Sequence, residues 1–531
     1  MKRGVVMSAD LALTSGKVLT MNQSQPCAEA VAIKDDRIVQ VGANEEIEPL
    51  IGENTKVISL DGKTVVPGFI DTHIHVADYG RLSRWIDLSN VASIKEMQEC
   101  LSRHAAKMPK GKWLIGRGWN QTRFAEKRLP TCFDLDLVSP DNPVIFYQES
   151  GQVCVVNNKA LELAGVTQLT TVPQGGAIDR DAETGELTGV LRDSATNLVW
   201  AVIPEPNEEE VAEATGLACQ KIVEAGVTSV HWMVLSPVEI KVIQKLHQEN
   251  KLPLRVYVVI PASLLDEVAG LGAYLGLEDD MLRVGGVEIG ADGYLATRTA
   301  ALLQPYSDDP TESGRLLCTQ EHMNAEAAKI LKAGLQLIIH AVGDKAVDVA
   351  LTTIEKVASE APRKGVHNRI EQAAVLNEEL INRMKKQKVI VSVQPRVIAS
   401  EFSVWSATEH LGAERAKWLY PVKTLLKEGI RIVGGSDCPM EPLSPLLGVQ
   451  TVVTRETVPE ERVTIGEALR MYTVDAAYSS NEENKKGSVE TGKLADLTVL
   501  SDDPKKVLPN KIAKIAVEMT IVGGRVSYSK Q

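Results

Sequence analysis

The feature that most restricts the fold is a rhythm. Eight short apolar runs recur through the middle of the chain, separated by longer helical stretches. They are GFIDTHIH (68–75), VTSVHWM (227–233), LRVYVVI (254–260), RVGGVEIGADG (283–293), LQLIIHAVGD (335–344), HNRIEQA (367–373), VIVSVQP (389–395) and IRIVGGSD (430–437). Such alternation predicts parallel strands joined by crossover helices. Eight of them are the number that closes a (β/α)8 TIM barrel, an α/β fold. The first two runs stand far apart. Residues 85–215 between them carry their own mixed pattern, including WLIGRGW and PVIFYQE, and are expected to be a large insertion after the first strand. The ends differ again. Residues 1–66 and 490–531 alternate short apolar runs with Asp/Gly/Lys turns, which predicts strands. They are expected to be two halves of one composite β-sandwich domain, with the barrel domain spanning 67–489.

Composition sets limits on partners. The chain has 531 residues, 44% hydrophobic and 24% charged, enough for a large core. Its formal net charge is −12 and no long Lys/Arg run is present, which argues against nucleic acid. No uncharged apolar stretch approaches the roughly 20 residues that span a membrane, and residues 1–10 contain no apolar signal core. Seven cysteines are scattered without a CxxC pair, as expected for free thiols in a reducing, cytoplasmic compartment. The expected partner is a small-molecule substrate, with neither nucleic acid nor membrane.

In a barrel of this kind the chemistry sits at the C-terminal ends of the strands. The first run ends in Asp71-Thr72-His73-Ile74-His75. Residues i and i+2 of a strand share a face, so His73 and His75 either hold a cation through imidazole nitrogen or are satisfied by backbone or carboxylate groups. The fifth run carries His340, and the eighth ends in Ser436-Asp437. Each alone is ambiguous. Together they offer three imidazoles and a carboxylate at one end of the barrel, a set suited to Zn²⁺ with room for water. Asp437 then also suits the acceptance and delivery of a proton, with His340 as a second catalytic candidate.

At this point the motifs carry a resemblance. PGFIDTHIH, HAVGDKAVD, GSDCP and GKLADLTVL resemble the amidohydrolase superfamily. GRGWNQTRF (116–124), VNNKALELAG (156–165), ADGYLATRTAAL (291–302), RIEQAAVL (369–376) and SVQP (392–395) are similar to its amidohydrolase-3, YtcJ-like group. The resemblance covers nearly the whole chain. It implies ligands His73, His75, His340 and Asp437, one or two divalent ions (Zn²⁺, with Mn²⁺ or Fe²⁺ as alternatives), a homodimer, and hydrolysis of an amide-like, non-peptide C–N bond.

Departures from that pattern matter as much. Where the group carries Lys on the fourth strand, this chain has Glu288, expected to bind or bridge metal unless it pairs with Arg. Where the group reads RIEH, this chain reads Arg369-Ile370-Glu371-Gln372. Amide oxygen is a weaker ligand than imidazole, which tilts the expectation towards one metal and leaves Gln372 to bind substrate. In the insertion, Gln152 stands where the pattern has His. Trp119, Tyr294, Arg298 and Gln152 are further substrate-binding candidates. Two other activities stay open: deamination of a heterocycle at a one-metal site, and a catalytically silent metal-binding or regulatory role.

Overall fold

The computed structural model describes residues 8–270, 279–360, 367–402 and 405–530. The chain divides into two compact units, Met1–Gly80 with Val211–Gln531, and Arg81–Glu210.

The first unit contains an eight-stranded, wholly parallel sheet: β1 (Phe69–Ile74), β2 (Val227–Met233), β3 (Arg255–Pro261), β4 (Leu282–Gly290), β5 (Gln336–Ala341), β6 (Arg369–Gln372), β7 (Ile390–Val393) and β8 (Ile432–Gly434). Spatial order follows chain order, and all eight coincide with the runs legible in the sequence. Sequential parallel strands need a crossover each. Helices such as Pro237–Gln248, Gln320–Lys332, Asp344–Glu360 and Glu378–Gln387 supply them. Local sequence starts these helices. Thr319 and Asn377 accept the backbone N–H three residues on, the usual N-cap bond.

Period-two alternation sorts the strand residues. Val256, Val258 and Ile260 of β3 join the main cluster shared with the helices. Tyr257 and Val259 instead join Met233 and Ile338 in a separate cluster. No ladder joins β8 to β1. The seam is closed beyond the strand ends, where the Asp437 N–H donates to the His73 carbonyl at 2.8 Å and the His75 N–H to the Cys438 carbonyl at 2.9 Å. Gly435 permits this approach, because a Cβ there would stand 2.7 Å from that of His73.

The terminal strands form two further sheets in the same unit. One orders Arg37–Gly42, Ala30–Lys34, Leu11–Thr14 and Lys56–Ser59. The other orders Arg525–Ser529, Val517–Val522, Leu497–Leu500, Thr64–Pro67, Lys17–Leu19 and Cys27–Ala28. Leu13, Val31 and Ile33 from the first share a core with Val65, Leu497, Val499 and Ile521 from the second. Residues from both chain ends therefore build one double layer.

The second unit starts and ends four to five residues earlier than the sequence pattern suggests, at Arg81 and Glu210 rather than 85 and 215. It holds a six-stranded mixed sheet. Val144, Phe146 and Val155 face one core, and Ile145, Cys154 and Val156 the other. No helix among the described residues is long and apolar enough to cross a membrane.

Candidate metal centre

The ends of β1 and β8 bring three ligand groups together. His73, His75 and Asp437 each offer an atom lying within 4.8 Å of the other two. Asp437 Oδ1 stands 3.6 Å from His73 Nε2 and 3.4 Å from His75 Nε2. An ion with bonds of about 2.1 Å in tetrahedral array separates its ligands by about 3.4 Å, so the spacing fits a divalent cation. Asp437 itself takes a left-handed φ of +56°, a strain typical of functional positions in residues that bear a side chain.

The support beneath is a buried chain of charges. His73 Nδ1 lies 3.0 Å from Glu371 Oε2. Glu371 also accepts from Arg369 Nε and, at 3.4 Å, from Gln394 Nε2. Arg369 is fully buried and donates at 2.7 Å to His231 Nδ1 and at 3.0 Å to the Thr72 carbonyl. Burial, with Arg369 and Lys486 nearby, pushes His231 well below the usual imidazole range, so it is neutral and accepts that bond. Burial alone would raise Glu371, but Arg369 and His73 hold it down at about 2. The ionised Glu371 thus fixes His73 with Nε2 free for a cation, the carboxylate–imidazole support common to metal sites. Burial disfavours a charged His73, yet Glu371, Asp437 and Glu288 outweigh it and raise its pKa to about 9. Three carboxylates able to hold that proton form a field suited to a divalent ion.

Asp71 braces the seam from below. Its Oδ1 accepts the N–H of Ser436 at 2.9 Å and that of His73 at 3.2 Å. Burial pushes its pKa up to about 6 in spite of these bonds.

The other expected site residues are placed differently. His340 ends β5 and Glu288 lies on β4, opposite Ile338, but neither belongs to the three-residue cluster. Glu288 Oε1 is buried without a hydrogen-bond partner, and the expected alternative of a pairing with Arg is not found among the described residues. The Tyr294 ring meets the His340 ring edge-on at 5.5 Å. Arg298 is engaged by Asp308 and, at 3.5 Å, by Asp309, which is a structural ion-pair arrangement rather than an open clamp. Trp119 is corrected: its ring is sealed in the core of the second unit and its N–H donates to the Phe146 carbonyl at 2.8 Å, so no face is left for substrate. Gln152 is exposed in that unit. Gln372 is buried and accepts from the Tyr420 hydroxyl.

Sequence reasoning passed over Arg369, Glu371 and Asp71. A signal existed: two opposite charges at i and i+2 of one buried strand must be paired within the barrel. Tyr420 carried none, because its partner lies 48 positions away, and at His231 the sequence marks only a departure from the pattern of the second strand, not its bond to Arg369.

Comparison with known proteins gives the same direction. A family model described as "Amidohydrolase family" matches residues 56–528. The chain is 33% identical over 530 residues to the putative amidohydrolase YtcJ of Bacillus subtilis, covering 97% of this chain and 98% of the relative. It is 29% identical over 539 residues to the N-substituted formamide deformylase of Arthrobacter pascens, covering 98% of each. An uncharacterized metal-dependent hydrolase from Pyrococcus furiosus is similar in structure, with a TM-score of 0.78 and 31% identity over 93% of this chain and 100% of that one.

Proposed function

The chain belongs to the amidohydrolase family, and on that premise we propose that it is a metal-dependent hydrolase of non-peptide C–N bonds in small molecules, with N-substituted formamides the first substrates to try. The observation that carries this is the meeting of His73, His75 and Asp437 at the barrel's C-terminal end. The donor set of two imidazoles and one carboxylate suits Zn²⁺ first, with Mn²⁺ or Fe²⁺ as alternatives. His340, near the end of β5, would be the further ligand of that ion, and Glu288, on β4, would serve only a second one. A divalent cation held there supplies Lewis-acid polarisation of a carbonyl and acidifies water.

The chain's own groups do the rest. Burial would raise the pKa of Asp437, but the bond from His75 and the charges of His73, His75 and His340 hold it below the ordinary carboxylate value. Asp437 is therefore an ionised acceptor at neutral pH. It takes a proton from the attacking water and returns it to the departing nitrogen. Glu371 keeps His73 in one tautomer throughout. All seven cysteines are free thiols, which supports a cytoplasmic setting.

The test is turnover of N-substituted formamides, cyclic amides and amidines, read as formate, acid or ammonia release. Activity is expected to vanish on chelation and return with Zn²⁺, Mn²⁺ or Fe²⁺. Turnover indifferent to complete metal removal overturns the proposal, as does a fully metal-loaded protein inert across the panel.

A further inference from the structure

The last residue of β6 departs from the strand geometry around it. Gln372 has φ +71° and Ala373 φ +46°. Left-handed conformations are disfavoured for residues with a Cβ and persist where surrounding structure enforces them. Gln372 Oε1 accepts a 2.5 Å hydrogen bond from the Tyr420 hydroxyl, and Tyr420 is itself left-handed, at φ +43°. Both residues are buried.

The backbone behind the pair is locked. The Tyr420 N–H donates to the Ala374 carbonyl at 2.7 Å, and the Ala373 N–H to the Ala341 carbonyl at 2.9 Å. The buried Arg455 guanidinium donates to the Tyr420 and Leu419 carbonyls at 2.7 and 3.2 Å. Two conformationally costly residues are thus held face to face through one side-chain bond.

That bond decides which end of the Gln372 carboxamide is offered. The Tyr420 hydroxyl makes no other hydrogen bond among the described residues, so its proton goes to Gln372 Oε1. The oxygen is the end that could ligate a cation, and it is turned to Tyr420. The Nε2 amide has no partner among the described residues, and it is not one of the sealed, unsatisfied atoms. Gln372 directly follows Glu371, which holds His73, and pairs in register with Ala341, the neighbour of His340.

We infer that Gln372, oriented by Tyr420, is a substrate-binding residue whose carboxamide N–H grips the acyl oxygen of an amide-like ligand, and that it is not a metal ligand. This rests on the C–N hydrolase reading for the identity of the ligand. Tyr420 is a positioning residue that acts through Gln372. An imidazole at this strand end would add a metal ligand, whereas a tethered carboxamide adds a neutral donor that selects for a hydrogen-bond acceptor on the substrate.

The test uses the zinc-loaded full chain and N-benzylacetamide, a carbonyl-bearing probe that does not chelate zinc, with binding followed by calorimetry. Gln372→Met keeps the bulk and removes the donor. It is expected to weaken binding about tenfold, the usual scale of one lost polar contact, with zinc per chain unchanged. Tyr420→Phe is the milder change and is expected to weaken binding by a smaller factor. The double variant is expected to bind no more weakly than Gln372→Met alone, because the two act through one contact. Unchanged affinity in both single variants overturns the inference. So does loss of zinc in Gln372→Met, additive losses in the double variant, or failure of the wild type to bind the probe. If binding depends on Gln372 while no C–N substrate is turned over, the proposed activity falls and this inference stands. If substrates are turned over while binding ignores Gln372, the reverse holds.

Discussion

The two sides of the barrel mouth are built differently. Where β8 meets β1, the groups hold one another, Asp71 Oδ2 and His75 Nδ1 excepted: Asp437 and His73 exchange backbone and side-chain contacts, Asp71 holds Ser436, and Glu371 holds His73. Across the mouth, at the ends of β4 to β6, the groups stand apart. Glu288 has a buried oxygen without a partner, and Gln372 is tied away to Tyr420. One side is preassembled, with the spacing a divalent ion would need. The other is a set of groups whose partner comes from outside the chain. The contrast teaches that preorganisation need not be uniform around a site: it is concentrated where geometry must not vary.

The sharpest way to break this contrast is at Asp437. Asp437→Asn keeps the shape but removes the proton acceptor and one anionic ligand. The expected loss in kcat is about 10²–10⁴-fold, the range for a lost general base, with zinc per chain also falling in elemental analysis. Near-normal turnover would move the catalytic weight to the opposite side.

Glu371→Gln attacks the support beneath. Metal affinity, measured by competition with a chelator, is expected to weaken about 10–100-fold. Stability in urea should fall by about 3–5 kcal/mol, since Arg369 is left as a buried cation without its carboxylate. A variant with intact affinity would show that His73 needs no such brace.

Glu288→Gln probes the open side. With one ion held by the preassembled side, stoichiometry stays at one and affinity shifts by less than about tenfold, below the range for supporting groups. A fall from two ions to one would place a second ion between Glu288 and its neighbours. The smallest effect is expected at Arg298. Its ion pairs with Asp308 and Asp309 are partly exposed, so Arg298→Ala should cost at most about 1 kcal/mol in a thermal melt. Its kcat/KM should be unchanged, and a large rise in KM would return Arg298 to the substrate.

The barrel was legible because each strand is buried on both faces and bounded by turns, so composition and spacing are local signals. His73, His75 and Asp437 were legible for the same reason, since polar residues at apolar strand ends stand out. Arg369 and Glu371 sat in plain view in RIEQ, but their role depends on His73 and His231, on other strands. Trp119 misled because a motif shared among relatives marks packing as readily as binding, and a large ring with a bonded N–H is core material. The tether on Gln372 was invisible, since nothing local announces Tyr420.

The seam between β1 and β8 has a consequence for how the molecule comes into being. Asp71 and Ser436, which it joins, lie 365 positions apart. A chain leaving the ribosome carries both histidines early but has no Asp437 to set against them until most of its length has been made. Capture of an ion that needs all three groups would thus come late in the making of each molecule. A product truncated before that point lacks the carboxylate that completes the cluster.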